Sequence, residues 1–142
     1  ATSPFVLVLL LASLQGASAQ VNAGRIHSCG VQAESGEVLC WGSNEDSRTT
    51  PPAGVRFSSV SAGHHHTCGT LAENSSAMCW GHNSWGDQAT APAGVRFDPF
   101  SGFSMAGRQH SCGVLADGSG AMCWGLESTF FQTDPPQGVA FE

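Results

Sequence analysis

The chain has 142 residues, with eleven acidic and five basic side chains and a formal net charge of −6 at neutral pH. The five basic residues are all Arg and form no basic stripe. The composition therefore speaks against a nucleic-acid-binding surface and a polybasic membrane-binding patch. Eighteen Gly, six Cys and no Tyr indicate a Gly-rich globular protein with little helix.

The N-terminal segment predicts export from the cell. Residues 5–14 form an apolar run that is shorter than the ~20 residues a membrane span needs. Small residues at 16–19 follow, which predicts a secretory signal peptide over residues 1–19 and a mature chain that begins at Gln20. An uncleaved anchor or a buried strand is the alternative. The chain starts with Ala1 and lacks a basic leader, so we expect the sequence to be truncated at this end. In an oxidising compartment the six Cys are expected to form disulfides.

An internal repeat is the main feature of the sequence. Three segments share the pattern Gly-x-x-His-Ser/Thr-Cys-Gly, followed by Cys-Trp-Gly and then by Pro-x-Gly-Val-x-Phe. The three segments begin at Gly24, Gly63 and Gly107. A period of about 40 residues built from short apolar stretches is typical of propeller blades. We therefore predict an all-β fold with units at about 20–57, 58–97 and 98–142.

Each unit contains two Cys that are eleven positions apart. Turn residues lie midway between them, most clearly Asp117-Gly118, which predicts a two-residue type I′ hairpin turn. Such a turn places the two Cys of a unit opposite each other on antiparallel strands, close enough for a disulfide. Six Cys allow fifteen connectivities, and the local one is favoured because every unit has its own pair. The predicted pairs are Cys29 with Cys40, Cys68 with Cys79, and Cys112 with Cys123.

The Val-x-Phe segments, such as Val55 to Phe57, predict a further short strand in each unit. Together with the stretch from Val60 to Cys68 and on to Cys-Trp-Gly at 79–81, the pattern resembles the regulator-of-chromosome-condensation repeat. That superfamily also contains β-lactamase inhibitor protein II. The Cys-containing form is similar to the ectodomains of crinkly-type plant receptor-like kinases. The resemblance covers nearly all of residues 21–142 and is specific for the fold, but it carries no shared catalytic motif.

The resemblance implies seven four-stranded blades around a channel. Three units cannot close such a ring, so we expect the sequence to be a fragment of a longer protein. A short propeller that closes by self-assembly is the less favoured alternative.

The repeated His-Ser/Thr-Cys triplets at 27–29, 66–68 and 110–112 raise the question of metal binding or catalysis. Structural zinc sites favour Cys pairs two to four residues apart, so we expect these His to pack within their blades and to bond neighbouring backbone groups. The run His64-His65-His66 is a weak candidate for a surface metal site. Three equivalent copies argue against a catalytic Cys–His pair, and no catalytic, metal or cofactor motif is present. We therefore predict no enzymatic activity and no cofactor.

Aromatic side chains divide into repeated and unrepeated positions. Trp41, Trp80 and Trp124 are repeated, which predicts packing within or between blades. Trp85 lies in an unrepeated polar loop, and an exposed aromatic there is a candidate binding residue. Phe100 and Phe103 lie in an unusually long linker and form a second candidate binding loop, or else fill a gap between blades.

Asn74 begins an Asn-Ser-Ser sequon at a predicted hairpin tip, which predicts N-glycosylation.

These features favour an extracellular module that binds a protein, peptide or glycan, secreted or held at the cell surface. Membrane attachment would require a downstream anchor. One alternative is a fragment of a receptor-like protein kinase ectodomain, and a second is a secreted protein inhibitor. A guanine-nucleotide exchange factor is disfavoured by the export signal, the Cys pairs and the absence of a basic patch.

Overall fold

The computed structural model describes residues 20–84, 87–99, 108–126 and 133–141. Within these ranges the chain forms eight short strands and one 3-10 helix at Glu45–Ser47, so the all-β prediction is confirmed. The strands are β1 Gln20–Ala23, β2 His27–Val31, β3 Val38–Gly42, β4 Phe57–Ala62, β5 His66–Leu71, β6 Ala77–Gly81, β7 His110–Val114 and β8 Ala121–Gly125. No helix in the described part of the chain is long and apolar enough to cross a membrane.

The strands pair into three antiparallel sheets in chain order, β1-β2-β3, β4-β5-β6 and β7-β8. The described sheets thus have three or two strands rather than the four that the resemblance implies. The Pro-x-Gly segments explain part of this difference, because Pro donates no ladder hydrogen bond and Gly weakens a strand. Phe97 makes only an isolated bridge to Leu115. Phe57 pairs with Leu71, so it belongs to the second sheet and the Val-x-Phe segments lead into the sheet that follows.

Each hairpin carries one disulfide between directly opposed Cys, as predicted. The bonds join Cys29 to Cys40, Cys68 to Cys79 and Cys112 to Cys123, with Cα atoms 4.1, 4.0 and 4.0 Å apart. The predicted two-residue turn is wrong, although the register is right. Leu115 donates to the carbonyl of Gly120 across a longer turn, since the carboxylate of Asp117 accepts hydrogen bonds from the amide and hydroxyl of Ser119.

Every Cys-Trp-Gly ends in a glycine that the packing requires. Gly42, Gly81 and Gly125 have φ angles of 108°, 107° and 112°. A Cβ atom on Gly125 would lie 2.5 Å from the carbonyl oxygen of Gln109. Each of these glycines lies against the turn that precedes its hairpin. The chain can therefore leave the hairpin along this path only if the residue has no side chain.

Apolar side chains fill the space between successive sheets. Cys29, Val38, Phe57, Val60 and Ala62 form a buried cluster against which Met78 and Trp80 pack. Cys68 and Phe97 form an equivalent cluster with Met122 and Trp124. Because each cluster draws residues from two units, no sheet completes its core alone.

A hydrogen-bonded latch joins each sheet to the next. In the first latch, His27 Nε2 lies 2.7 Å from Thr67 Oγ1, and that hydroxyl lies 3.0 Å from the carbonyl oxygen of Arg48. Trp80 Nε1 donates to the same carbonyl at 3.0 Å. The hydroxyl proton is used on the carbonyl, so His27 donates from Nε2 and is the Nε2–H tautomer.

The second latch repeats the first one unit further along the chain. His66 Nε2 lies 2.7 Å from Ser111 Oγ. The Ser111 hydroxyl and Trp124 Nε1 donate to the carbonyl of Gln88 at 3.0 and 3.2 Å. Two edge contacts strengthen the first boundary, since the side chains of Gln20 and Asn22 accept hydrogen bonds from the β4 amides.

We expect Thr67→Val to lower the free energy of unfolding by about 1–3 kcal/mol. Valine keeps the shape of threonine but removes the only hydroxyl that satisfies His27 Nε2 and donates to Arg48. Urea unfolding followed by tryptophan fluorescence measures the change. Thr50→Val is the matched control, because its hydroxyl bonds an exposed Asn44 side chain. Equal stability of the two variants would contradict the latch.

Candidate binding face

The repeated His residues connect neighbouring sheets. The expectation that each His bonds a backbone group within its own blade is wrong for His27 and His66, which bond the hydroxyls of Thr67 and Ser111 in the next sheet. The sequence did carry a signal for this contact, because a hydroxyl residue lies between His and Cys in all three triplets. All six Cys are in disulfides, and no group of three or more ligating side chains that could hold a metal occurs among the described residues.

Burial keeps the latch histidines neutral. It lowers the pKa of His66 to about 4, and nearby imidazoles including His27 contribute. Burial also lowers the pKa of His27 to about 4, with the charge of Arg48 as a smaller cause. In both rings the Nδ1 atom is buried without a hydrogen-bond partner. A proton there would find no acceptor, so the neutral Nε2–H form fits the site.

The strands hold two chemically different rims at their opposite ends. We call the first the turn rim, formed by the turns at 24–26, 63–65 and 108–109 and by the described residues of the loops that follow each Trp-Gly, at 43–50, 82–84, 87–90 and 126. Backbone hydrogen bonds tie each loop to its turn, as between the His82 amide and the His65 carbonyl at 3.0 Å. We call the second the tip rim, formed by the hairpin tips at 32–37, 71–76 and 115–120.

The turn rim carries a cluster of imidazole and guanidinium groups, of which the sequence analysis singled out only His64 and His65, as part of a weak candidate metal site. Arg25 Nη1 donates to His64 Nε2 at 2.6 Å. The rings of His64 and His65 lie 4.0 Å apart, and His65 and His82 lie 6.0 Å apart between ring centroids. His82 Nδ1 lies 3.1 Å from Asp46 Oδ2. The cluster thus crosses from the first unit into the second.

Burial and neighbouring positive charges lower the pKa values of two histidines in this cluster, His64 and His65. Burial lowers the pKa of His64, and His65 and Arg25 add to the effect. Burial also lowers the pKa of His65, and the charge of Arg48 is the next largest cause. In the sequence, one feature indicates the cluster: Arg25, His64 and Arg108, which are cationic or imidazole residues, occupy equivalent repeat positions.

The buried side chain of Arg48 stabilises the turn rim from the interior of the protein. Its side chain is fully buried, and its Nε donates to the carbonyl of Glu45 at 2.6 Å. Its Nη2 lies 3.4 Å from Glu45 and 3.3 Å from Asp46. Since the Arg48 carbonyl is the acceptor in the first latch, the same residue fixes the loop of one unit and the docking of the next.

The tip rim presents Asn74 and two shallow grooves. Asn74 is exposed, and its side-chain oxygen accepts a hydrogen bond from the Ser76 amide. One groove lies between Val55 and Met78, and the other between Val95 and Leu115. The grooves lie at equivalent repeat positions, so they follow from the repeat and do not mark one specific site.

The predicted aromatic residues fall into three groups. Trp80 and Trp124 pack between sheets, as predicted, with ring centroids 5.6 and 5.7 Å from Phe57 and Phe97. Trp41, at the equivalent place in the first sheet, is exposed. Trp85, Phe100 and Phe103 lie outside the described residues, so their place in a binding loop stays a prediction.

Disulfide-braced antiparallel sheets docked in series define a propeller-type repeat protein. Comparison with solved structures supports this class. The ectodomain of the receptor kinase CR4 from Physcomitrella patens is 33% identical with a TM-score of 0.68, over 85% of this chain and 31% of that one. The CRINKLY WD40 ectodomain of the Arabidopsis thaliana receptor kinase ACR4 is 28% identical with a TM-score of 0.58, over 86% of this chain and 39% of that one.

More distant similarity extends to a further solved structure. Prp20p from Saccharomyces cerevisiae is 19% identical with a TM-score of 0.62, over 84% of this chain and 33% of that one. At this identity the likeness shows the fold alone. No family model and no curated protein matches the chain. The chain therefore has the fold of regulator-of-chromosome-condensation repeats and spans about a third of the length of the structures it resembles.

We expect the protein to lose stability as the pH falls from 6.5 to 4. The pKa values of His27 and His66 are lowered to about 4 in the folded state, so the unfolded chain binds more protons within this window. Their contribution is complete above pH 6.5 and falls by at most about 1.4 kcal/mol per pH unit for each histidine.

Urea unfolding at several pH values measures this slope. In the variant His66→Gln, which keeps an N–H donor but does not titrate, we expect a smaller pH dependence than in the wild type. His82→Gln is the control for an imidazole outside the latch. An unchanged slope in the double variant His27→Gln/His66→Gln would show that other groups cause the acid sensitivity.

Proposed function

We propose that this protein is an extracellular recognition module that binds a protein, peptide or glycan ligand through its turn rim. The observation that carries the proposal is the contrast between two rims on one rigid scaffold. The turn rim combines Arg25, the His64–His65–His82 cluster and acidic Asp46 within a few ångströms. Loops held by a rigid scaffold are where binding residues concentrate.

Several properties of the turn rim suit recognition. Arg25 and Arg108 are exposed at equivalent positions and can form bidentate hydrogen bonds with carboxylates. Residues 82–84 and 87–90 belong to the same rim, and the candidate binding residue Trp85 lies between them in the sequence, where a large aromatic side chain would suit an anchor. We therefore assign the ligand to this rim.

The tip rim is the less suitable face. Its sequon residue Asn74 is exposed, and a glycan there would cover the hairpin tip between β5 and β6. The grooves beside it repeat from unit to unit, which offers little specificity. A glycosylated tip rim would thus direct partners to the opposite end of the strands.

Among the alternatives, a receptor-kinase ectodomain has the most support. The solved structures reported above at 33% and 28% identity are receptor-kinase ectodomains, and three disulfides suit an extracellular location. A secreted inhibitor would use the same rim without a kinase downstream. Prp20p is described with binding properties towards Gsp1p and histones. At 19% identity we do not transfer that role. The five basic residues of the chain form no basic stripe, which speaks against nucleic-acid partners.

We predict that a eukaryotic secretory host exports the chain with an N-terminus at Gln20, three disulfides and a glycan on Asn74. The intact mass after glycosidase treatment should be about six hydrogens below the all-thiol value. Asn74→Gln should remove the glycan and leave the disulfides, and Asn83→Gln is the control outside a sequon. Free thiols with a retained N-terminal segment would contradict export.

Ligand binding should depend on the turn rim and not on the tip rim. We propose screening a multimerised form of the chain against a panel of secreted proteins and receptor ectodomains. Arg25→Glu and Trp85→Ala should each weaken a specific interaction at least about tenfold, as expected for contact residues. Arg56→Glu is the matched control, because this exposed arginine lies at the tip rim beside Ser35. An interaction lost with Arg56→Glu but kept with Arg25→Glu and Trp85→Ala would place the site on the other face.

A further inference from the structure

The arginines of the two rims differ in their electrostatic surroundings. At the tip rim, Arg56 and Glu73 line one groove, and Arg96 and Asp117 line the other. Each tip-rim arginine therefore shares its groove with a carboxylate. At the turn rim, Arg25 instead donates to an imidazole nitrogen of the next unit at 2.6 Å.

The carboxylates of the turn rim are already used by another group. Glu45 and Asp46 both lie within 3.4 Å of the buried guanidinium of Arg48. In the described part of the chain, no carboxylate forms an ion pair with Arg25 or Arg108. The charges of these two arginines are therefore not neutralised by the residues that the structure describes.

The middle unit places His64 between the two arginines. Arg25, His64 and Arg108 occupy equivalent positions on successive turns, and the Arg25 amide also approaches the Gly63 carbonyl at 3.4 Å. Burial is the main cause of the lowered pKa values of His64 and His65, and the charge of Arg108 contributes at both. Because units on both sides of His64 are present, the cluster does not depend on the ends of the chain.

The residues next to the two arginines add contacts of a different kind. Ile26 follows Arg25 and is 40% exposed, and Gln109 follows Arg108 and is partly exposed. An apolar side chain and an amide beside guanidinium groups suit a peptide in which acidic and apolar residues are neighbours. A polyanionic glycan fits less well, because the chain has a net charge of −6 and its acidic residues would repel a dense negative charge.

We propose that the turn rim binds an acidic segment of a protein ligand, whose carboxylates are held by Arg25 and Arg108 on either side of His64. This inference rests on the proposed function and specifies the chemistry of its ligand. A guanidinium group forms two parallel hydrogen bonds with a carboxylate, and such charge-assisted bonds are stronger than neutral ones. The ligand supplies the carboxylates that the described part of the turn rim does not offer to these arginines.

His64 makes this binding dependent on pH. Arg25 Nη1 donates to His64 Nε2, so the neutral ring carries its proton on Nδ1. A second proton would lie on Nε2 and face the guanidinium, which would release Arg25 towards the ligand. The charged or titratable groups around the ring are His65, Arg25, Arg108 and Arg48, and together with burial they lower its pKa. A bound carboxylate would raise that pKa, so by linkage the ligand binds more tightly as the pH falls from about 7.5 to about 6.

Binding of short labelled peptides to the full chain from a secretory host tests the proposal. The probe is a blocked peptide of alternating Asp and Leu, and the matched probe has Asn in place of every Asp. Fluorescence polarisation should give at least about tenfold tighter binding of the acidic peptide. The difference should shrink when the salt concentration rises from about 0.1 to about 1 M, because the Debye length falls from ~10 to ~3 Å.

Variants locate the binding of the acidic peptide. Arg25→Gln and Arg108→Gln should each weaken it at least about fivefold, because each removes one charged hydrogen-bond donor. Arg96→Gln is the matched control, since this arginine lies at the tip rim in the groove that Asp117 lines. His64→Gln should keep the binding at pH about 7.5 and reduce the gain at pH about 6.

Three results would overturn the proposal. The first is equal affinity for the acidic and the amide peptide, and the second is a loss of binding in Arg96→Gln alone. The third is a heparin oligosaccharide that binds more tightly than the acidic peptide and is lost in Arg25→Gln, which would assign the rim to a sulfated glycan.

Failure of this inference can be distinguished from failure of the proposed function. A partner from the ectodomain screen that Trp85→Ala weakens, but that the acidic peptide does not displace, would overturn the inference and leave the proposed function standing. A partner that only Arg56→Glu weakens would overturn the assignment of the ligand to the turn rim, and with it this inference.

Discussion

The hydrogen bonds to two backbone carbonyls determine how the sheets dock. The carbonyls of Arg48 and Gln88 each accept one hydrogen bond from a hydroxyl and one from an indole of the following sheet. Each acceptor lies in the loop that leaves one hairpin, and both donors lie on strands of the next. A buried carbonyl without a partner is costly, so the loop and the next sheet must be ordered together. The apolar clusters also couple the sheets, since each cluster contains residues from two neighbouring sheets.

The disulfides and the latches stabilise different levels of the structure. A disulfide between residues eleven apart restrains a single hairpin and contributes roughly 2–3 kcal/mol through the unfolded chain. It cannot hold one sheet against the next. That task belongs to the His27–Thr67 and His66–Ser111 bonds, which join residues 40 and 45 positions apart. Because burial lowers the pKa values of the histidines in these bonds, we expect sheet docking to be more sensitive to acid than the hairpins are.

Repetition made the hairpins predictable from sequence but concealed the contacts between them. Opposed Cys and midpoint turn residues fix a register, and the pairing of Cys112 with Cys123 follows even though the turn itself is longer than predicted. The destination of His66 does not follow, because nothing in a single repeat shows that its ring reaches Ser111 of the next. Likewise, Phe57 looks like the end of one unit in the sequence but pairs within the following sheet. The turn-rim cluster depends on the same docking, which brings Asp46 to His82 across 36 positions.

Comparing the units separates residues that serve the fold from residues that are available for recognition. The His, the hydroxyl and the Trp of the latch keep the same chemistry in every unit, and they make the contacts at both sheet boundaries in the described part of the chain. The positions of Ile26, His65 and Gln109 also recur on the turn rim, yet they carry three unlike side chains. At all three positions the backbone carbonyl accepts a hydrogen bond from the loop beside it. Because this recurring contact is made by the backbone, the side chain can differ from unit to unit, and differences in binding specificity can be encoded at these positions.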